Sequence, residues 1–354
     1  MERVLKGRGA TINPPGRFAR MLPQAVDDGW YQESTPDSVA TEVRAEAARS
    51  VISSNDSPDI PFAQSINPYR GCEHGCVYCY ARPSHAYVDL SPGIDFETRL
   101  FYKADAARLL RAELARPGYR CLPIMLGANT DPYQPVEKRL RVTREILEVL
   151  LQARHPVTVI TKGALVLRDL DLLQEFASMK LLRVTVSLTT LDPELKRTLE
   201  PRAASPQARL RVIRALADAA VPVGVLTAPM IPAVNDAELE ALLAAAAGAG
   251  ATRAGYVLLR LPHEVKDLFR AWLEQHLPLR AAHVMSLIRQ AHDGRDNDPR
   301  FGQRMRGSGP WAAMLRARFE LACRRLGLSG ERDPDLDSTR FCPPRGSSQL
   351  ELSL

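Results

Sequence analysis

An α/β fold built from six βα units is what this sequence predicts, and three observations carry that expectation. Short apolar, β-rich runs recur at residues 123–126, 157–161, 181–188, 221–227 and 255–259. Between them lie stretches with helical apolar spacing, such as Val142, Ile146, Leu147, Val149 and Leu150, then Leu165, Leu167, Leu170, Leu172, Leu173 and Phe176, each forming one buried stripe. The intervals are those of parallel strands, because each crossover has to carry a helix back across the sheet. A first strand at residues 65–68 completes the six units. This pattern fits an incomplete barrel or an open doubly wound sheet, and in either case functional groups gather at the C-terminal ends of the strands.

The flanking regions read differently. Residues 1–60 are polar and irregular, broken by Pro14, Pro15, Pro23, Pro36 and Pro58, with a brief helix predicted over 39–51. They form an N-terminal extension to a barrel unit at 61–280. After His276 the alternation dissolves, and 281–354 reads as a basic helical extension whose helix, at 310–326, follows a glycine-rich stretch at 302–309. Residues 300–325 hold seven Arg and one acid, Glu320, a net charge equal to the +6 of the whole chain.

Composition bounds the function classes. The chain has 354 residues, 45% hydrophobic and 25% charged, which excludes whole-chain disorder and collagen-like structure. No apolar leader opens it, and the longest uncharged stretch, 219–235, carries Pro222, Pro229 and Pro232. A soluble cytoplasmic protein with no membrane partner is therefore expected. Six cysteines are too few for a secreted disulfide scaffold, and three of them fall within eight positions, a grouping that suits metal better than cystine.

Those three define the sharpest motif, Asn67-Pro68-Tyr69-Arg70-Gly71-Cys72-Glu73-His74-Gly75-Cys76-Val77-Tyr78-Cys79-Tyr80, spaced Cys-x3-Cys-x2-Cys. Three thiolates on one loop can hold three irons of a [4Fe-4S] cube, and Gly71 and Gly75 permit the tight turns this needs. The fourth iron is left open to an external chelating group, which suits chemistry better than pure electron transfer. A zinc site completed by His74 or His85 is the alternative; it is weakened by the lack of a second Cys-x2-Cys or His-x3-His pair downstream.

On these residues the chain resembles the radical S-adenosylmethionine (SAM) superfamily, in the branch of spore photoproduct lyase and related putative DNA repair photolyases. The resemblance covers residues 62–279; Asn67-Pro68-Tyr69 and Tyr78-Cys79-Tyr80 narrow it to the branch. It implies a partial (β/α)6 TIM-like barrel, a [4Fe-4S] cluster on Cys72, Cys76 and Cys79, and S-adenosyl-L-methionine as the group on the open iron. It also implies an electron from a flavodoxin- or ferredoxin-like donor, and a 5′-deoxyadenosyl radical that abstracts hydrogen from a substrate.

The resemblance further implies roles at the strand ends. Tyr78 corresponds to the aromatic that packs on the adenine, and Tyr80 is expected to face the same cavity. Lys162, in Val159-Ile160-Thr161-Lys162, corresponds to a lysine that meets the methionine carboxylate. Ser187, in Val186-Ser187-Leu188, matches a serine contacting the ligand, and Ala228, in Thr227-Ala228-Pro229-Met230, a backbone approach to the adenine. Asn129, Thr130 and Asp131 either contact ligand or substrate or cap the turn before Pro132. Within Glu200-Pro201-Arg202, Glu200 is expected to support the loop and Arg202 to meet a ligand carboxylate or phosphate.

One departure matters. The lyase returns a hydrogen atom to the product radical from a cysteine on the second strand, whereas here that stretch is Gly127-Ala128-Asn129. Cys121 is expected at the opposite end of the strand, and Tyr133, Cys323 and Cys342 are the remaining hydrogen donors to weigh. Cleavage of a thymine dimer is thereby disfavoured. The arginines of 300–325 are either phosphate contacts for a nucleic-acid substrate or a solvated helix face; they form no single helical stripe and have no interleaved aromatics. Radical chemistry on a protein or small molecule, or a non-catalytic iron-sulfur protein, are the other readings.

Overall fold

The computed structural model of the chain describes residues 6–19, 39–329 and 336–344. Its strands are β1 (Glu42–Ala45), β2 (Ile52–Ser54), β3 (Gln64–Ile66), β4 (Tyr69–Arg70), β5 (Arg99–Tyr102), β6 (Ile124–Leu126), β7 (Val157–Thr161), β8 (Leu182–Ser187), β9 (Val223–Met230) and β10 (Arg253–Leu258). The six expected strands are β3 and β6 to β10. They lie side by side in one seven-stranded sheet, ordered β10-β9-β8-β7-β6-β3-β2. Every pairing is parallel except that of β2 with β3. The sheet is open, with β10 and β2 at its edges.

The central strands are rich in Val and Thr, which suit a pleated surface covered on both faces. Val157, Val159, Val184, Val186, Val223 and Val225 are buried under helices Val142–Gln152, Leu170–Ser178, Pro206–Asp218 and Leu239–Gly248. Parallel register then aligns the strand ends, because Ile124 pairs with Val157, Val157 with Leu182 and Val184 with Val223. Asn67, Gly127, Lys162, Leu188 and Leu259 consequently meet on one rim.

Two expectations change. The run 39–51 is not helical; its residues Glu42–Ala45 form β1, paired in parallel with β5 in a separate three-stranded sheet. Thirteen residues whose only large apolar side chains are Val39, Val43 and Val51 make a marginal helix, and pairing with the backbone of β5 outweighs it. The stretch after His276 is more regular than its sequence suggested: helix Ala281–Ala291 follows Val265–His276, and Val284 and Ile288 join Phe269 and Trp272 in a cluster that also contains Val77 and Tyr78. The basic helix occurs at Gly309–Leu326. Among the described residues no helix is long and apolar enough to cross a membrane.

Candidate active site

The cysteine loop runs between β4 and the 3-10 helix Arg82–Val88. Gly71 and Gly75 adopt φ of 79° and 68°, and Gly9 comes so close that a Cβ on it would lie 1.8 Å from the carbonyl oxygen of Gly75. Arg82 organises the loop from beneath. Its Nε donates to the carbonyl of Cys76 at 2.8 Å, while its terminal nitrogens donate to Gly93 O at 2.8 Å, Pro92 O at 3.0 Å and Glu97 Oε1 at 2.6 Å. Glu97 in turn accepts from the backbone of Gly9 and Ala10 at 2.9 and 2.8 Å. Neither side chain of the Arg82–Glu97 pair reaches solvent.

Cys72 and Cys76 are buried, Cys79 is half-buried, and all three thiols are free. Burial pushes their pKa values up, to about 12 for Cys76, with Glu200 adding to the effect there and Asp131 at Cys72. Lys162 and Arg209 oppose it at Cys76. A dry pocket disfavours three bare thiolates but suits three that hand their charge to iron. The donor set therefore fits a cluster.

The histidines of the zinc alternative are directed elsewhere: His74 Nδ1 lies 3.3 Å from Asp131 Oδ2, and His85 Nε2 lies 2.9 Å from Arg99 O. Among the described residues no group of three His, Cys, Asp or Glu side chains surrounds a single-ion position. A cube takes one cysteine per iron and does not require one.

Beside the loop, the ends of β7, β8 and β9 assemble a connected polar group. Lys162 Nζ donates to Ser187 Oγ at 2.7 Å, lies 3.9 Å from Glu200 Oε1 and sits 5.9 Å from the ring centroid of Tyr78. Ser187 Oγ lies 3.4 Å from the Ala228 carbonyl, which also accepts from Thr189 Oγ1 at 3.0 Å. Glu200 is fully buried; it accepts from the Tyr78 hydroxyl and from Thr189 Oγ1, and pairs with Arg209. Burial works to raise the pKa of Glu200, but Arg209, Lys162 and the Tyr78 hydroxyl overcome it and hold the carboxyl at about 2. Because Arg209 already compensates Glu200, the charge on Lys162 remains available to a further anion.

Tyr78, Lys162, Ser187 and Ala228 are thus brought together. Asp131 joins them as a brace, with Oδ1 accepting from Thr161 Oγ1 at 2.7 Å and from Tyr133 N at 2.8 Å, and Oδ2 from Lys162 N at 2.6 Å. Its pKa is held at about 2 because His74, Lys162 N and Thr161 outweigh burial. Thr130 Oγ1 is tied to Tyr69 O at 2.8 Å. Asn129 is exposed and lies outside the group, its backbone bonded to Asn67 Oδ1 at 2.8 Å. Arg202 is paired with Glu73 Oε1 at 3.1 Å, not with Glu200.

Arg209 was the residue missed in the sequence, yet a signal existed. It occupies the first position of the stripe Arg209, Val212, Ile213, Leu216, so a cation stands on a core-facing helix row. Of the other thiols, Cys121 precedes β6, Cys342 bonds through its backbone to Ala153 ahead of β7, and Cys323 sits near Ser329, which pairs with the start of β10. All three belong to the end of the sheet opposite the cysteine loop.

Known proteins share the family pattern and the fold of this chain. The Radical SAM superfamily model matches residues 66–246. An uncharacterized protein of Mycobacterium tuberculosis is 40% identical over 233 residues, covering 65% of this chain and 68% of that protein. An uncharacterized protein of Methanocaldococcus jannaschii is 28% identical over 173 residues, covering 49% of this chain and 62% of that protein. Among solved structures, spore photoproduct lyase complexed with dinucleoside spore photoproduct shares the fold, with a TM-score of 0.60, 16% identity and 82% of each chain covered. The partial-barrel class of these neighbours agrees with the open parallel sheet. Since the superfamily match spans half of its length, the chain belongs to the radical SAM superfamily and is an enzyme of that superfamily.

Proposed function

We propose that Cys72, Cys76 and Cys79 hold the [4Fe-4S] cluster and that Tyr78, Lys162, Ser187 and Ala228 line the SAM pocket, with Asp131, Asn129 and Arg202 framing its rim. The observation carrying this reading is Lys162, a cation anchored on Ser187 with its nearest carboxylate already compensated by Arg209. When bound, the cluster and SAM supply reductive cleavage to a 5′-deoxyadenosyl radical for hydrogen abstraction. Lys162 draws in the ligand's carboxylate, and Tyr78, fixed through its hydroxyl, offers a ring face to the adenine. The Arg82–Glu97 pair holds the ligand loop in place, and the buried loop excludes water.

The substrate class favoured for screening is nucleic acid, because the arginines of 300–325 include Arg306, Arg316, Arg324 and Arg325, which lack acidic partners among the described residues. The solved neighbours with a bound dinucleoside support the same class. A flavodoxin- or ferredoxin-like protein is the proposed electron donor. A cytoplasmic location accords with six unpaired thiols.

The test is anaerobic reconstitution with iron and sulfide, reduction, and assay of 5′-deoxyadenosine from SAM. We expect production by the native chain and its loss in Cys76→Ala. A fully loaded cluster that never cleaves SAM, even with damaged or modified nucleic acids present, contradicts the reading.

A further inference from the structure

Arg260 follows β10 on the rim that carries the cysteine loop and Lys162. Unlike Arg82, Arg209, Arg304 and Arg318, it has no hydrogen bond or ion pair among the described residues, and its Nε is buried without a partner. Its guanidinium lies 5.4 Å from the ring centroid of Tyr80, the residue after Cys79. The Tyr80 hydroxyl donates to the carbonyl of Ala128 just past β6, while the residue as a whole remains 45% exposed. Tyr80 and Arg260 therefore span the mouth from the end of β6 to the end of β10.

An arginine in this position is unfavourable for the folded chain alone. Burial and the neighbouring Arg304 lower its pKa, with Tyr80 and Asp59 acting in the other direction. It nevertheless stays charged, and Asp59 is already paired with Arg304 at 2.7 Å. The ring face of Tyr80 offsets part of the cost of burial but satisfies no N–H donor. A guanidinium with unpartnered donors and no uncommitted carboxylate beside it matches the forked oxygens of an incoming oxyanion such as phosphate.

We propose that Arg260 is the docking residue for a phosphate group of the substrate, placed at the mouth of the site beside Tyr80. This rests on the reading of that mouth as the radical SAM active site, and it separates substrate docking at Arg260 from SAM carboxylate binding at Lys162. It makes the substrate a phosphorylated or phosphodiester-linked molecule whose reacting carbon lies deeper than its phosphate. Arg260 positions; it takes no part in bond making.

Pyrophosphate is the probe, titrated calorimetrically into the full chain with saturating SAM, before and after cluster reconstitution, with malonate as the carboxylate comparison. Binding is expected to weaken about tenfold or more in Arg260→Gln and less in Arg260→Lys, which keeps charge but loses the planar fork. The thermal midpoint of Arg260→Gln should equal or exceed that of the native chain, since an unpaired buried charge is removed. Unchanged pyrophosphate affinity in Arg260→Gln, absence of binding to the native chain, loss in Arg316→Gln or Lys162→Met without loss in Arg260→Gln, or tighter binding of malonate would each overturn the proposal. A lower midpoint with binding retained would instead make Arg260 a packing partner of Tyr80. Failure here with Cys76-dependent 5′-deoxyadenosine intact sinks only the docking residue, whereas Arg260-dependent binding without SAM cleavage sinks only the reading of the chemistry.

Discussion

Individual charges in this molecule act through their buried partners. Arg82 and Glu97 are both fully buried, so removing one leaves the other uncompensated. Arg82→Met should cost about 3–5 kcal/mol in urea unfolding, and adding Glu97→Gln should recover part of that loss. Because Arg82 also bonds the carbonyl of Cys76, the same variant should hold less iron after reconstitution. Lys162 is a different case, since its hydrogen bond to Ser187 leaves further donors for a ligand. Lys162→Met should weaken SAM binding about tenfold to a hundredfold, read by calorimetry, while leaving the cluster spectrum of the cysteine loop intact.

Among the elements, the turn that closes β6 constrains the site most. Gly127 has φ of +93°, and a Cβ there would lie 2.5 Å from the carbonyl oxygen of Ile160 on β7. Gly118 also has positive φ, +78°, but a Cβ there meets nothing within 4 Å. Gly118→Ala should cost about 1 kcal/mol from backbone conformation, and Gly127→Ala distinctly more, because it also pushes β6 from β7. Thermal midpoints of the two variants compare them directly; equal losses would show that the clash relaxes freely. The basic helix Gly309–Leu326 is less demanding. Arg318 pairs with Glu240 across a part-exposed gap, a contact worth less than about 1 kcal/mol.

For the molecule as a whole, burial makes stability depend on pH over a wide range. His85 and His155 have pKa values lowered to about 4, chiefly by burial, against 6.5 when free. As pH falls from about 6.5 to 4 the unfolded chain takes up protons that the folded chain refuses, so stability falls. Glu200 and Asp131 have the opposite charge type, with folded values of about 2 against 4.5 and 3.8. Their contribution is present above the free values and is lost as pH drops toward 2. Urea midpoints should therefore decline continuously from pH 7 to pH 2, and a midpoint at pH 4 equal to that at pH 7 would contradict the buried neutral histidines. The six parallel strands and the cysteine loop are legible in the sequence, since strand and helix periodicities and the Cys-x3-Cys-x2-Cys spacing are properties of neighbouring residues. Residues 39–51 misled because an isolated pattern carries no information about a pairing partner more than fifty residues away. The Tyr78–Glu200–Arg209–Lys162 group, the clamp of Gly9 and Ala10 on Glu97, and the bar of Arg260 on Tyr80 join residues far apart in the chain. The charged and aromatic members each look alone like an ordinary solvated charge or core aromatic; register between parallel strands aligns the strand ends on one rim, so that the loops and helices following them bring these side chains together, while the segment of Gly9 and Ala10 docks on Glu97 through its backbone.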